Sequence, residues 1–162
     1  MTKIIKKKEL PEGTQIMENL SSVDYYDSYM ITKNSKYSIE KLTENILLLP
    51  NWVNIALRIR YCLIVKPFGL TTGRFDSRGN SSDIGFVPVP MISKNENEIV
   101  MGSDDKHLYY RISVMKKEVE QKTKIYLSTI VKFNNIWGKL YFLPVKVGHK
   151  LVVKSILKRF AG

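Results

Sequence analysis

Two histidines are the side chains best suited by type to move a proton in this chain, and they stand far apart. His107 heads the alternating run "HLYYRISV", and His149 lies inside "VGHKLVV" near the C-terminus. An imidazole changes charge close to neutral pH, so either could serve as an acid or base beside a bound molecule. His149 is read first as a structural residue bonded to a nearby carbonyl, with an acid–base role in a cavity as the alternative. Arg111 shares a strand face with His107, and Tyr126 lies on the next run, "KIYLSTIVKF". On that pairing Arg111 points to solvent or across to Tyr126, so His107, Arg111 and Tyr126 form a candidate polar surface site. Asp104, Asp105 and His107 could in principle offer three metal ligands, but neighbours on a strand point in opposite directions, and "SDD" reads as a turn. No metal is expected.

Other chemistries lack their residues. Cys62 is the sole cysteine, so neither an internal disulfide nor a multi-cysteine zinc site can form, which fits a reducing, cytoplasmic setting. The glycines of "TTGRFDSRGN" fit neither a dinucleotide fingerprint nor a phosphate loop, and there is no nucleophile elbow or helical histidine pair. No catalytic residue is assigned and no cofactor is expected.

The elements that must position these residues follow from periodicity. Residues 1–22, interrupted by Pro11 and Gly13, read as a basic N-terminal arm, and residues 23–162 as a single domain. "VDYYDSYMI" reads as a strand. Ser38 can cap a helix whose apolar face is Ile39, Leu42, Ile46 and Leu49. A second short helix is expected from Pro50, with Trp52, Ile55, Ala56, Ile59 and Leu63 on its apolar side. Residues 70–83 read as a loop.

The period then changes to two, and four strand-like runs follow: "IGFVPVPMI", "EIVMGSD", "HLYYRISVMKK" and "KIYLSTIVKF". Pro88 and Pro90 confine the first to an edge. In the third, Leu108, Tyr110, Ile112 and Val114 share one face, and His107, Tyr109, Arg111 and Ser113 the other. Such alternation predicts an antiparallel sheet with one face covered and one in water. The cover is an amphipathic C-terminal helix in "VKVGHKLVVKSILKRF", with lysines at 146, 150, 154 and 158 on one stripe and Val147, Leu151, Ile156 and Phe160 on another side.

The formal net charge is +11, from 26 Lys and Arg against 15 Asp and Glu. Condensed cationic charge would favour phosphate, but the basic residues are spread along the chain and a nucleic-acid partner is not expected. The local concentrations, Lys3 to Lys8 and Lys146 to Arg159, leave peripheral contact with an anionic membrane as an alternative role. Pro50, Arg58 and Arg60 interrupt the longest apolar stretch, so no transmembrane helix is predicted.

A strand, two short helices, a run of antiparallel strands and a long final helix is the order of the helix-grip fold, an α+β architecture in which a curved sheet wraps the last helix. The segments "SDDKHLYYRISV", "STIVKFNNIWGKLYFLPV", "VGHKLVVKSILKRF" and "LPNWVNIALRIRYCLIVKPFGL" resemble the family known as domain of unknown function 2867. That resemblance implies membership of the START-like, SRPBCC superfamily, many of whose members hold an apolar ligand between sheet and helix. It implies no particular activity. Tyr109 stands where the family pattern is usually acidic, and Gly148 where it is bulkier. The function expected is non-enzymatic binding of a small apolar or amphipathic ligand, lined by Trp52, Tyr110, Thr129, Trp137, His149 and Ile156. A small-molecule enzyme of cyclase or lyase type, using the same cavity, is the alternative.

Overall fold

The computed structural model describes residues 3–49, 51–52, 55, 89–104 and 106–162. Among these residues six strands, β1 (Ile5–Lys7), β2 (Tyr25–Lys33), β3 (Met91–Lys94), β4 (Glu98–Asp104), β5 (Leu108–Val119) and β6 (Lys122–Phe133), form one sheet. Helix α1 (Ile39–Leu47) follows β2, and helix α2 (Ile136–Ala161) closes the chain. The strand order is β1-β2-β6-β5-β4-β3, and every neighbouring pair is antiparallel. The architecture is α+β and consistent with a helix grip. Apart from Asn51, Trp52 and Ile55, the second short helix and the loop predicted at 70–83 lie outside the described residues.

The long β5–β6 hairpin is the frame. Its two strands of 12 residues pair from Leu108↔Phe133 to Val119↔Lys122. The two-residue turn places Glu120 at a φ of 57°, the positive value a tight hairpin uses to match strand twist. Helix α1 begins as its sequence predicts: the Ser38 hydroxyl accepts from the Lys41 amide, and Ile39, Leu42 and Ile46 are buried.

On the inner face of the sheet, Tyr29, Ile31, Ile99, Val114, Ile125 and Leu127 pack against those α1 residues and against Val153, Ile156 and Leu157 of α2. Helix α2 differs from its sequence reading in two ways. It starts at Ile136, well before "VKVGHK", because Asn135 caps it by accepting from the Gly138 amide, and it continues through Pro144. Its buried side is Gly138, Phe142, Val153, Ile156 and Leu157, whereas Val147 and Leu151 are exposed. The helix is therefore apolar on two opposite sides rather than amphipathic.

The outer face is not in water, which overturns the expectation of a one-sided sheet. The N-terminal segment folds back over it, and Ile16 packs on Val100 and Ile130 with Leu10, Met17, Leu20 and Val23 around them. Two charged groups of the sheet fasten that segment. Glu98, 1 % exposed, accepts from the Thr14 hydroxyl (2.5 Å), the Gln15 amide (2.7 Å) and the Ser113 hydroxyl (2.5 Å). Arg111, 7 % exposed, donates to the Ile16 and Glu18 carbonyls at 3.0 and 2.7 Å. A carboxylate takes the segment's donors and a guanidinium takes its acceptors, so buried polar groups are matched on both sides. The same segment adds strand β1 to the edge of β2, through Ile5↔Met30.

Candidate functional site

Strand β2 presents Tyr25, Asp27, Tyr29 and Ile31 to the inner face, since alternate residues share a side. Three of these suit a core; Asp27 does not. It is 2 % exposed and stands opposite Thr129 of β6, which is itself buried and paired on its other side with Ile112 of β5. The Tyr25 hydroxyl donates to Asp27 Oδ2 at 2.6 Å. From the covering helix, His149 Nε2 lies 3.4 Å from Oδ1 and 3.3 Å from Oδ2. A tyrosine, a carboxylate and a histidine thus converge beneath α2.

Helix α2 is anchored at both ends, which fixes where His149 falls between them. At the start, Gly138 crosses β5 so closely that a Cβ would collide with the His107 carbonyl oxygen. Only glycine permits that approach. Asn135 binds the residues just before that strand, donating through Nδ2 to the Lys106 carbonyl at 3.1 Å, with its Oδ1 3.2 Å from His107 Nδ1. Phe142 then packs between Tyr25 and Phe133, with ring centroids 4.9 and 5.5 Å away. At the far end Arg159 donates to the Asn45 carbonyl of α1 (2.7 Å), and Lys33 of β2 donates to the Phe160 carbonyl (2.9 Å).

The electrostatics centre on Asp27. Burial, then the bond to Asp27 and its negative charge, push the Tyr25 phenol well above its ordinary pKa of 10.0. Burial and then Asp27 push Tyr29 the same way. Both phenols therefore stay protonated, and Tyr25 acts on the carboxylate as a donor. The Lys146 ammonium sits 5.1 Å from the centre of the Tyr25 ring. His149 completes an ion pair with Asp27 when its ring is protonated. Among the described residues Nδ1 of His149 has no hydrogen-bond partner, so one ring nitrogen is available to a further molecule. The pair can therefore hold a polar group by hydrogen bonding, or exchange a proton with it.

The residues expected to line the site fall in different places. Thr129 and His149 come together around Asp27, and Tyr110 is half-buried on the same sheet face, alongside Ile112. Ile156 is in the main core. Trp137 is 61 % exposed and Trp52 47 % exposed, so neither is packed into the core. The polar surface site does not form. His107 belongs to the cap of α2, Arg111 is buried under the N-terminal segment, and Tyr126 joins Met30 and Met115 in a separate buried cluster. Arg111 Nε donates to the hydroxyl of Tyr109, not to Tyr126, because Arg111 is paired with Ile130 and Tyr126 with Met115.

Sequence reasoning missed Tyr25 and Asp27. The signal was present: in "VDYYDSYMI" an acid shares its alternate face with Tyr29 and Ile31. An open depression of about 390 Å³ at the start of α2, lined by Asp24, Phe133, Asn135, Ile136 and Lys139, is separate from this cluster. Among the described residues no three His, Cys, Asp or Glu side chains gather as metal ligands do, and no helix is long and apolar enough to cross a membrane.

No curated protein and no solved structure matches the chain. The family described as Protein of unknown function (DUF2867) matches residues 19–156, from the last part of the N-terminal segment through strands β2 to β6 and most of α2. With that extent of match, over a stretch that includes Tyr25, Asp27 and His149, the chain belongs to the DUF2867 family.

Proposed function

We propose that this is a helix-grip protein of the START-like kind, a non-enzymatic binder that holds a small amphipathic molecule between the inner face of the sheet and α2. The observation that carries the proposal is the buried carboxylate of Asp27, set in the wall that also presents Tyr29 and Ile31 and joined to His149 from the covering helix. Burying a carboxylate costs several kcal/mol even after relaxation, and an apolar side chain of similar size would cover the wall at no such cost. A polar ligand group docked on the pair gives that arrangement a use. The molecule expected has an apolar body and one hydroxyl, carbonyl or carboxylate head, the head meeting His149 and the body lying along Tyr110, Ile112 and Phe142.

Native mass spectrometry of gently purified protein, followed by titration with a fluorescent fatty acid, tests this. A bound molecule, or binding of the probe in one-to-one ratio that His149→Ala weakens about tenfold or more, is the expected result. Protein without adducts whose probe binding is absent or indifferent to His149→Ala and Asp27→Asn refutes it.

A second reading, acid–base catalysis on the same molecule, is favoured by the available Nδ1 beside a carboxylate-bound ring. It predicts that the molecule recovered from His149→Ala protein is chemically different from that recovered from the unaltered chain. Identical molecules leave the binder reading alone.

A further inference from the structure

The side of α2 turned away from the sheet is apolar. Ile136, Leu140, Leu143, Val147 and Leu151 recur at intervals of three and four and are 60, 50, 59, 65 and 59 % exposed. They make a stripe about 22 Å long, at 1.5 Å of rise per residue. Lys154 and Lys158 continue the same series in the last turns, and Lys139 and Lys150 stand on one flank. Trp137 is beside the stripe at its start. The helix sequence contains five lysines and Arg159 and neither Asp nor Glu. Among the described residues none of Lys139, Lys150, Lys154 and Lys158 is paired with an acid.

We infer that this face of α2 docks on an anionic lipid bilayer. An apolar stripe alone could meet many partners; the charge around it selects one. A second copy of the chain would bring lysines against lysines along the contact, and each copy carries a net charge of +11. Nucleic acid would use the lysines but gain nothing from five exposed aliphatic side chains. A bilayer with anionic headgroups accepts both: aliphatic side chains enter the boundary between headgroups and acyl chains, and the lysines remain at phosphate level. A tryptophan at the edge suits the same depth. The helix lies on the membrane and does not cross it, because its opposite side holds Phe142, Val153, Ile156 and Leu157 in the protein core.

The test is flotation of the full chain with vesicles of phosphatidylcholine, with and without phosphatidylserine, at low and high salt. Fluorescence of Trp137 is followed in a Trp52→Phe background. Binding is expected only with phosphatidylserine, weakening as salt rises, with a blue shift of Trp137. The triple variant Leu143→Ser, Val147→Ser, Leu151→Ser should bind tenfold or more weakly while melting at the parent temperature. The variant Lys150→Gln, Lys154→Gln, Lys158→Gln should lose about a hundredfold, at roughly fivefold per lysine near an anionic surface. Absence of binding, equal binding to neutral vesicles, or indifference to both variants overturns the inference. So does duplex DNA binding as strong as vesicle binding, or a lipid-free dimer that the serine variant dissociates.

Discussion

Removal of the His149 side chain tests whether the Asp27 pair is a joined unit. In His149→Ala, the Asp27 carboxylate, 2 % exposed in the intact chain, keeps Tyr25 as its partner among the described residues. Removing one partner of a buried carboxylate costs about 3–5 kcal/mol, most of it the uncompensated negative charge. The histidine side chain retains 19 % exposure, so water reaches the edge of the pair and the lower end applies. About 3 kcal/mol in a chain of this size corresponds to a fall in Tm of about 6–12 °C. Asp27→Asn keeps the shape, leaves Tyr25 an oxygen to donate to and removes the charge, for about 1 kcal/mol. The double variant has no stranded charge and should lose about 2 kcal/mol, so the two changes are coupled by about 2 kcal/mol. Urea unfolding at neutral pH followed by circular dichroism, with the slopes compared to confirm a common unfolded state, gives all four values. Losses that add to within about 0.5 kcal/mol would show two neighbours without a joint role, and the site reasoning would fail with them.

Three further outcomes follow from other parts of the fold. Gly138→Ala should destabilise by about 2 kcal/mol or more, because its methyl group meets the rigid His107 carbonyl, and chemical denaturation will measure it. Arg111→Met should release the N-terminal segment by leaving the Ile16 and Glu18 carbonyls without donors; faster proteolytic cleavage within residues 10–20, with the β5–β6 hairpin still protected, is the readout. Stability should hold up to about pH 10 and fall above it: the folded chain keeps the Tyr25 and Tyr29 protons more tightly than the unfolded chain, whose phenols titrate near 10. Tyr25→Phe should flatten that alkaline decline in a Tm-against-pH series, and an unchanged decline would contradict the burial of Tyr25.

The parts of the fold that were legible in the sequence are those whose signal is local. Ser38 followed by Ile39, Leu42 and Ile46 gave α1 its cap and face, and alternation in "HLYYRISV" and "KIYLSTIVKF" gave β5 and β6 their inner sides. In the sequence the outer side reads as solvent because Arg111 and Ser113 are polar, and polarity on alternate positions ordinarily means water. What buries them is residues 10–23, whose apolar members have no regular period and whose attachment depends on side chains some 80 to 95 positions away, such as Thr14 to Glu98 and Arg111 to Ile16. The early start of α2 was hidden by Gly138 and Pro144, residues that ordinarily interrupt helices. Gly138 is there for the crossing with β5, a contact no local pattern encodes. Asp27 escapes a sequence reading for another reason: its position in the alternation points inward, whereas a carboxylate ordinarily faces water.

Comparison of the two buried acids shows why one is a fastening and the other a candidate site. Glu98 and Asp27 are equally removed from water, at 1 and 2 % exposure. Glu98 receives three short donors spread over both oxygens, two from the segment it holds and one from Ser113, so its hydrogen bonding is complete within the fold. Its counterpart Arg111 likewise gives its protons to two backbone carbonyls and to Tyr109. Asp27 has one short donor, Tyr25, and one longer contact of 3.3–3.4 Å to an imidazole whose second nitrogen has no partner among the described residues. A group that serves only to hold elements together gains from being fully satisfied, and the outer face meets that condition. The inner pair does not, and it joins the covering helix to the sheet with hydrogen-bonding capacity left over. A molecule entering between them would find a donor or acceptor already oriented, which is the physical reason to look for a ligand at Asp27 and His149 rather than at the more conspicuous arginine.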